Sequence, residues 1–203
     1  YGNAQVICIN INGDKSSPQF VPGSNQYKWL DKTLEQSTSP WIFIFGHVGI
    51  YTTGYHGQWS AEPKKIAPLL EKHAAEGKRI IYFCGDDHSF EHLYKDGVHY
   101  VRPGCGRDAN YAQQTQLIDM NYSLFYNQVS CFSTIDMSAT ADTVTLQAYD
   151  LQGNIFYTYD FLRSTNIDEI YSSSNLPTKR WEQNRMLIYH DERIYDILGT
   201  CLK

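Results

Sequence analysis

The run Ile80-Ile81-Tyr82-Phe83-Cys84-Gly85-Asp86-Asp87-His88-Ser89-Phe90-Glu91-His92-Leu93-Tyr94 decides how the rest of the chain is read. Ile80–Cys84 is uniformly apolar or aromatic, too short for a helix and suited to a buried β-strand. Gly85 breaks the strand, and Asp86, Asp87 and His88 follow at once. Carboxylate and imidazole are thereby set on a loop at the carboxyl end of a core strand, where α/β sheets gather ligands. Side-chain direction repeats every second residue in extended backbone, so Asp86 and His88 are expected to face one way and Asp87 another.

A second junction of the same kind lies upstream. Trp41–Phe45 reads as a buried strand that halts at Gly46-His47, and the loop Val48–Ser60 after it contains His56-Gly57. His47, His56, Asp86 and His88 therefore all stand at strand ends or in the loops that follow. Imidazole nitrogen and carboxylate oxygen suit first-row metals such as Zn, Fe and Mn.

The remaining elements alternate around these two strands. Ala4–Ile11 reads as a strand apolar enough to need cover on both faces. Ser24 is a fitting N-cap for a helix over Asn25–Gln36, with Tyr27, Leu30 and Leu34 on one face. Glu62-Pro63 opens a second helix whose inner face is Ile66, Leu69, Leu70 and His73, stopped by Gly77. The order strand, helix, strand, helix, strand is an α/β pattern. Beyond Leu93 the character changes: a short strand at His99–Val101, irregular chain over Asp108–Tyr126, then antiparallel strands at Gln128–Asp136, Thr143–Asp150 and Ile155–Leu162. From Ser164 the chain is a linker followed by an amphipathic segment, Arg180–Leu198, expected as helix over Glu182–Tyr189.

Composition narrows the function classes. The chain has 203 residues, 42% hydrophobic and 14% aromatic, enough for a substantial core, and its 16 tyrosines suit a β-rich protein. A net charge of −5 with no basic run argues against a nucleic-acid partner. No apolar stretch is long enough for a membrane span. The first residue is Tyr1, which is expected of a processed or incomplete product. Five cysteines, Cys8, Cys84, Cys105, Cys131 and Cys201, form no close pair in sequence, so a cysteine zinc site is not expected. Cys8 and Cys84 sit in apolar runs, where small buried thiols are common. Asn121-Tyr122-Ser123 is a glycosylation triplet.

Taken together these motifs carry a resemblance. Tyr1-Gly2-Asn3 before a strand, Gln26-Tyr27-Lys28-Trp29-Leu30 in a helix, Gly46-His47, His56-Gly57 and Cys84-Gly85-Asp86-Asp87-His88 fall in the order of the C-terminal half of calcineurin-like metallophosphoesterases. The nearest likeness is to purple acid phosphatases of the small, tartrate-resistant type. Asp96–Val101 with Gly104-Cys105-Gly106 and the strands from Ser130 to Leu162 also resemble that half.

The resemblance implies a fold: the second half of a four-layer α/β/β/α sandwich over residues 1–163, a mixed sheet plus C-terminal antiparallel strands, with 164–203 as an extension. It implies metal-dependent hydrolysis of phosphate monoesters at a binuclear centre of Fe with Fe, Zn or Mn, and a secretory, lysosomal or extracellular setting. His47 would bind the second metal and His88 the first, ferric one. His56 would face substrate and act on the phosphate or the leaving oxygen.

Asp86 departs from the pattern, since it takes the place of a metal-binding histidine. No Asp-x-Gly, Gly-Asp-x-x-Tyr or Gly-Asn-His-Asp/Glu stretch precedes His47, so the resemblance implies a partner, the N-terminal half of the same domain. Two readings follow: a phosphatase completed by that half, or a catalytically decayed relative with a structural or binding role in an assembly. Trp181, Ile188 and Tyr189 in the tail are suited to docking on a protein partner.

Overall fold

The computed structural model describes residues 2–11, 21–56, 63–106 and 111–162, together with strands at 178–182, 185–190 and 193–196. The chain divides into two compact units, Tyr1–Leu162 and Arg163–Lys203.

The first unit is built on a six-stranded mixed sheet. Strand β1 (Ala4–Cys8) leads to helix α1 (Asn25–Gln36), then β2 (Trp41–Phe45), a 3-10 turn (Pro63–Ile66), α2 (Ala67–Ala75) and β3 (Ile80–Phe83). A hairpin of β4 (Phe90–Lys95) and β5 (Val98–Arg102) follows, and β6 (Ser123–Asn127) closes the sheet in the order β1-β2-β3-β5-β4-β6. β1, β2, β3 and β5 run parallel, while β4 pairs antiparallel with both β5 and β6. A separate antiparallel sheet joins β7 (Cys131–Met137), β8 (Thr143–Asp150) and β9 (Ile155–Leu162).

The continuous apolar runs of β2 and β3 are explained by cover on both faces. Ile42, Ile44, Ile80 and Tyr82 pack with Leu30 and Leu34 of α1 and Leu70 of α2. The alternate residues Trp41, Phe43, Ile81 and Phe83 pack instead with Val144, Leu146, Ala148 and Phe161 of the antiparallel sheet. Helices, mixed sheet and antiparallel sheet thus form three successive layers, the α/β architecture expected. Ser24 caps α1, its side chain accepting from the Tyr27 amide at 3.3 Å.

Three expectations are corrected. Asp108–Tyr126 is not irregular throughout: a 3-10 turn spans Ile118–Tyr122 and β6 begins at Ser123, because β4 offers that segment a ladder no local pattern announces. Phe90–Lys95, to which the sequence assigns no element, is a strand turned into β5 by Asp96 and Gly97, both at positive φ, the backbone a two-residue hairpin requires. β1 ends at Cys8 rather than Ile11, and as an edge strand it is covered unevenly: Val6 is 53% exposed and Cys8 is exposed too.

The third correction concerns the second unit. The helix expected over Glu182–Tyr189 is instead part of a three-stranded antiparallel sheet, β10 (Thr178–Glu182), β11 (Arg185–His190) and β12 (Arg193–Asp196). Trp181, Ile188, Tyr189, Ile194 and Tyr195 are strand formers, and neighbouring strands can pair across short connections where an isolated helix would have to stand alone.

Candidate functional site

Parallel pairing of β2 with β3 puts their carboxyl ends side by side, Phe45 opposite Phe83. The loops that leave them are stitched together by backbone bonds: the Gly46 amide donates to the Phe83 carbonyl at 3.0 Å, and the Gly85 amide to the His47 carbonyl at 2.8 Å. Gly46-His47 and Gly85-Asp86 are therefore held together by main chain before any side chain is considered.

Asp86 takes φ +70°, so its carboxylate is aimed by a left-handed turn and not by strand alternation. β3 stops at Phe83, so Asp86 and His88 stand beyond the extended backbone on which the expected pairing was argued. Asp86 lies between two other imidazoles. Its Oδ1 is 3.6 Å from Nε2 of His47, and its Oδ2 is 3.5 Å from Nδ1 of His56. His88 stacks on Tyr111, ring centroids 4.9 Å apart at 19°. Tyr111 stacks in turn on Tyr55, and His56 meets both tyrosines edge-on. Three of the four predicted residues thus converge, and the fourth is held in an aromatic stack.

Asp87 turns inward, in a role that was not foreseen. Its Oδ1 accepts from the His56 amide at 3.0 Å and faces His56 Nδ1 at 2.8 Å. The bond assigns the proton to Nδ1 and leaves Nε2 as the outer nitrogen of the ring. Oδ2 accepts from the Thr52 hydroxyl at 2.9 Å and lies 3.4 Å from Arg102 Nη1. Arg102 and Glu91 are directly opposite in the β4–β5 ladder and pair at 3.0 Å. Glu91 also accepts from the Thr53 amide at 3.0 Å and from the Thr52 hydroxyl at 2.9 Å. Arg102, Asp87 and Glu91 are all buried.

Burial works against the Arg102 charge, and the neighbouring Glu91, Cys84 and Asp87 outweigh it, so its pKa lies above the usual guanidinium value. Burial pushes the Cys84 thiol up to about 12, which leaves it protonated at neutral pH. The buried charges act as a floor under the loop 52–56. They fix Thr52, Thr53 and His56 from below and leave the site's outer groups, His47 and Asp86, 60% and 28% exposed. In sequence, the hint of this floor was Glu91 and Arg102 standing inside apolar strands; Tyr111 gave no signal.

The donor set fits a cation only in part. A separation of 3.6 Å between His47 Nε2 and Asp86 Oδ1 is close to that of two ligands on one ion, given metal–ligand bonds of about 2.0–2.2 Å. The near nitrogen of His56 is committed to Asp87 and cannot serve as a third. Among the described residues no group of three or more His, Cys, Asp or Glu is set to hold a metal ion. The described residues do not by themselves assemble a binuclear centre.

No family model matches the chain. Curated relatives from Arabidopsis thaliana do, among them purple acid phosphatase 7 at 27% identity over 135 residues and purple acid phosphatase 3 at 24% over 136 residues. The likeness is to purple acid phosphatases. Each match takes in 66% of this chain, but only 39% and 36% of the relative, so the chain spans about two fifths of their length. A solved structure titled "GAP50 the anchor in the inner membrane complex of Plasmodium" shares the fold, with TM-score 0.59 and 16% identity over 81% of this chain and 50% of that one. Among the described residues no helix is long and apolar enough to cross a membrane.

Proposed function

We propose that these residues form the C-terminal half of the catalytic domain of a metal-dependent phosphomonoesterase of the acid phosphatase type, completed by an N-terminal half outside them. The observation that carries this reading is the convergence of His47, Asp86 and His56 at the neighbouring tips of β2 and β3. The distant likeness to purple acid phosphatases supports phosphoester chemistry as the class.

In this reading His47 Nε2 and the Asp86 carboxylate would hold one cation. His88 would serve a second, and the N-terminal half would supply the remaining ligands. Metal bound there supplies Lewis acidity that activates water and neutralises phosphate charge. The Asp86 carboxylate, without a cation beside it, would repel a phosphate dianion at short range. His56, locked through Nδ1 by Asp87, presents Nε2 outward, and in its doubly protonated form donates from it to a phosphate oxygen or to the departing ester oxygen.

The test is metal content and p-nitrophenyl phosphate hydrolysis by the full-length protein, with His47→Ala and His56→Ala beside it. Retained turnover in both variants, or no bound metal and no turnover in the parent, overturns the proposal. A second reading, a decayed module with a structural role, is favoured by Asp86 itself and by the His88–Tyr111 stack. Asp86→His discriminates the two: a gain in metal affinity of tenfold or more marks a decayed site, and a loss marks a working aspartate ligand.

A further inference from the structure

Cys105 and Cys131 are far apart in sequence but directly opposite in space. They form an isolated antiparallel bridge, and each donates its amide to the other's carbonyl, at 3.1 and 3.2 Å. Both are buried, and neither is joined in a disulfide in this structure. Directly opposed residues of an antiparallel pair point to the same face. A pair that exchanges both hydrogen bonds has its Cα atoms about 5.5 Å apart, within the range that disulfides span.

We propose that Cys105 and Cys131 form a disulfide across this bridge. The Cβ separation of opposed residues, about 4.5–5.5 Å, exceeds the roughly 3.8 Å of a relaxed disulfide, so a small contraction is required. The backbone can supply it, because Cys105 is flanked by Gly104 and Gly106. Gly104 already approaches so closely that a Cβ there would sit 2.6 Å from the Cys131 carbonyl oxygen. Formation takes two electrons and two protons from the thiols. A low-molecular-weight disulfide such as oxidised glutathione accepts both and leaves as two thiols. Burial places the step during folding and shields the bond afterwards.

The bond would close the segment 105–131 into a loop. That loop carries Tyr111, whose ring stacks on His88, and Gln114, whose amide donates to the Thr53 carbonyl at 2.7 Å. Closing it tethers the cover of the candidate site to the antiparallel sheet at β7. This inference does not depend on the phosphatase reading.

The experiment equilibrates the full-length protein with oxidised and reduced glutathione, blocks free thiols under denaturing conditions, and maps peptides by mass spectrometry. The expected result is a Cys105–Cys131 linked peptide, and a Tm about 5–10 °C lower after reduction that Cys131→Ala abolishes. Both cysteines blocked in the oxidised sample, or either one joined to a different cysteine, overturns the proposal. Should Cys131→Ala fail to fold, the peptide map of the parent protein decides alone.

Discussion

His56 Nδ1 stands 2.8 Å from Oδ1 of Asp87, a carboxylate that is itself only 2% exposed and paired with Arg102. One buried acid therefore sets the tautomer and the orientation of the imidazole that faces the mouth of the site. The consequence is kinetic: Asp87→Asn should lower kcat on p-nitrophenyl phosphate by about 10–100-fold, with KM little changed. Combined with His56→Ala it should add nothing further, since both changes remove the same group. Full additivity in that double mutant would show that Asp87 acts independently of His56.

Beneath the loop Arg102 faces two carboxylates, Asp87 at 3.4 Å and Glu91 at 3.0 Å. Removing it strands both anions away from water. Arg102→Met is expected to cost about 3–5 kcal/mol, read as a lower urea midpoint at unchanged slope. Glu91→Gln, which keeps shape and one acceptor, should cost less.

Gly54 lies so close to Asp87 that an added Cβ would fall 2.4 Å from Oδ2. Gly54→Ala must push the loop off its carboxylate anchor. The expected loss is about 1–3 kcal/mol in stability, measured by thermal melting, and a fall in turnover because His56 moves with the loop. Activity equal to the parent's would separate the loop from the chemistry.

The acid sensitivity of the fold has a separate origin. His92 on β4 and His99 on β5 sit 2.9 Å apart, Nε2 to Nδ1, with His92 also 2.8 Å from the Tyr157 hydroxyl. Tyr94 of β4 and Tyr159 and Phe161 of β9 pack on the same rings. Burial, with His99 alongside, pushes His92 down from 6.5 to about 3, and burial pushes His99 down to about 4. The unfolded chain binds these protons below pH 6.5 and the folded one does not, so stability is complete above that pH. It then falls as pH drops toward 4, by up to about 1.4 kcal/mol per pH unit for each histidine. Urea midpoints measured from pH 7.5 to 4 should follow that slope, and His99→Phe should flatten it. A midpoint that does not change across that range would mean the pair is already solvated in the native protein.

Much of the frame was written locally. Ser24 followed by Leu30 and Leu34 specified α1, and the runs Trp41–Phe45 and Ile80–Phe83 specified β2 and β3, because period and capping are properties of neighbouring residues. The strands β8 and β9 were legible for the same reason. β6 was not, since its ladder partner is β4, a segment far away in sequence. The three strands of Arg163–Lys203 were missed because short amphipathic segments fit either period, and pairing decides between them.

At the site, the sequence by itself determined which chemistry stands at the tips of β2 and β3: imidazoles at His47, His56 and His88, and carboxylates at Asp86 and Asp87. Only the tertiary structure decided how they divide. A left-handed turn at Asp86 aimed that carboxylate between His47 and His56, and Tyr111 drew His88 into a stack. Arg102, reaching from β5, took Asp87 inward as the anchor of His56. Spacing along the chain fixes which groups are present, whereas the partner of each group depends on what distant strands bring within hydrogen-bond reach.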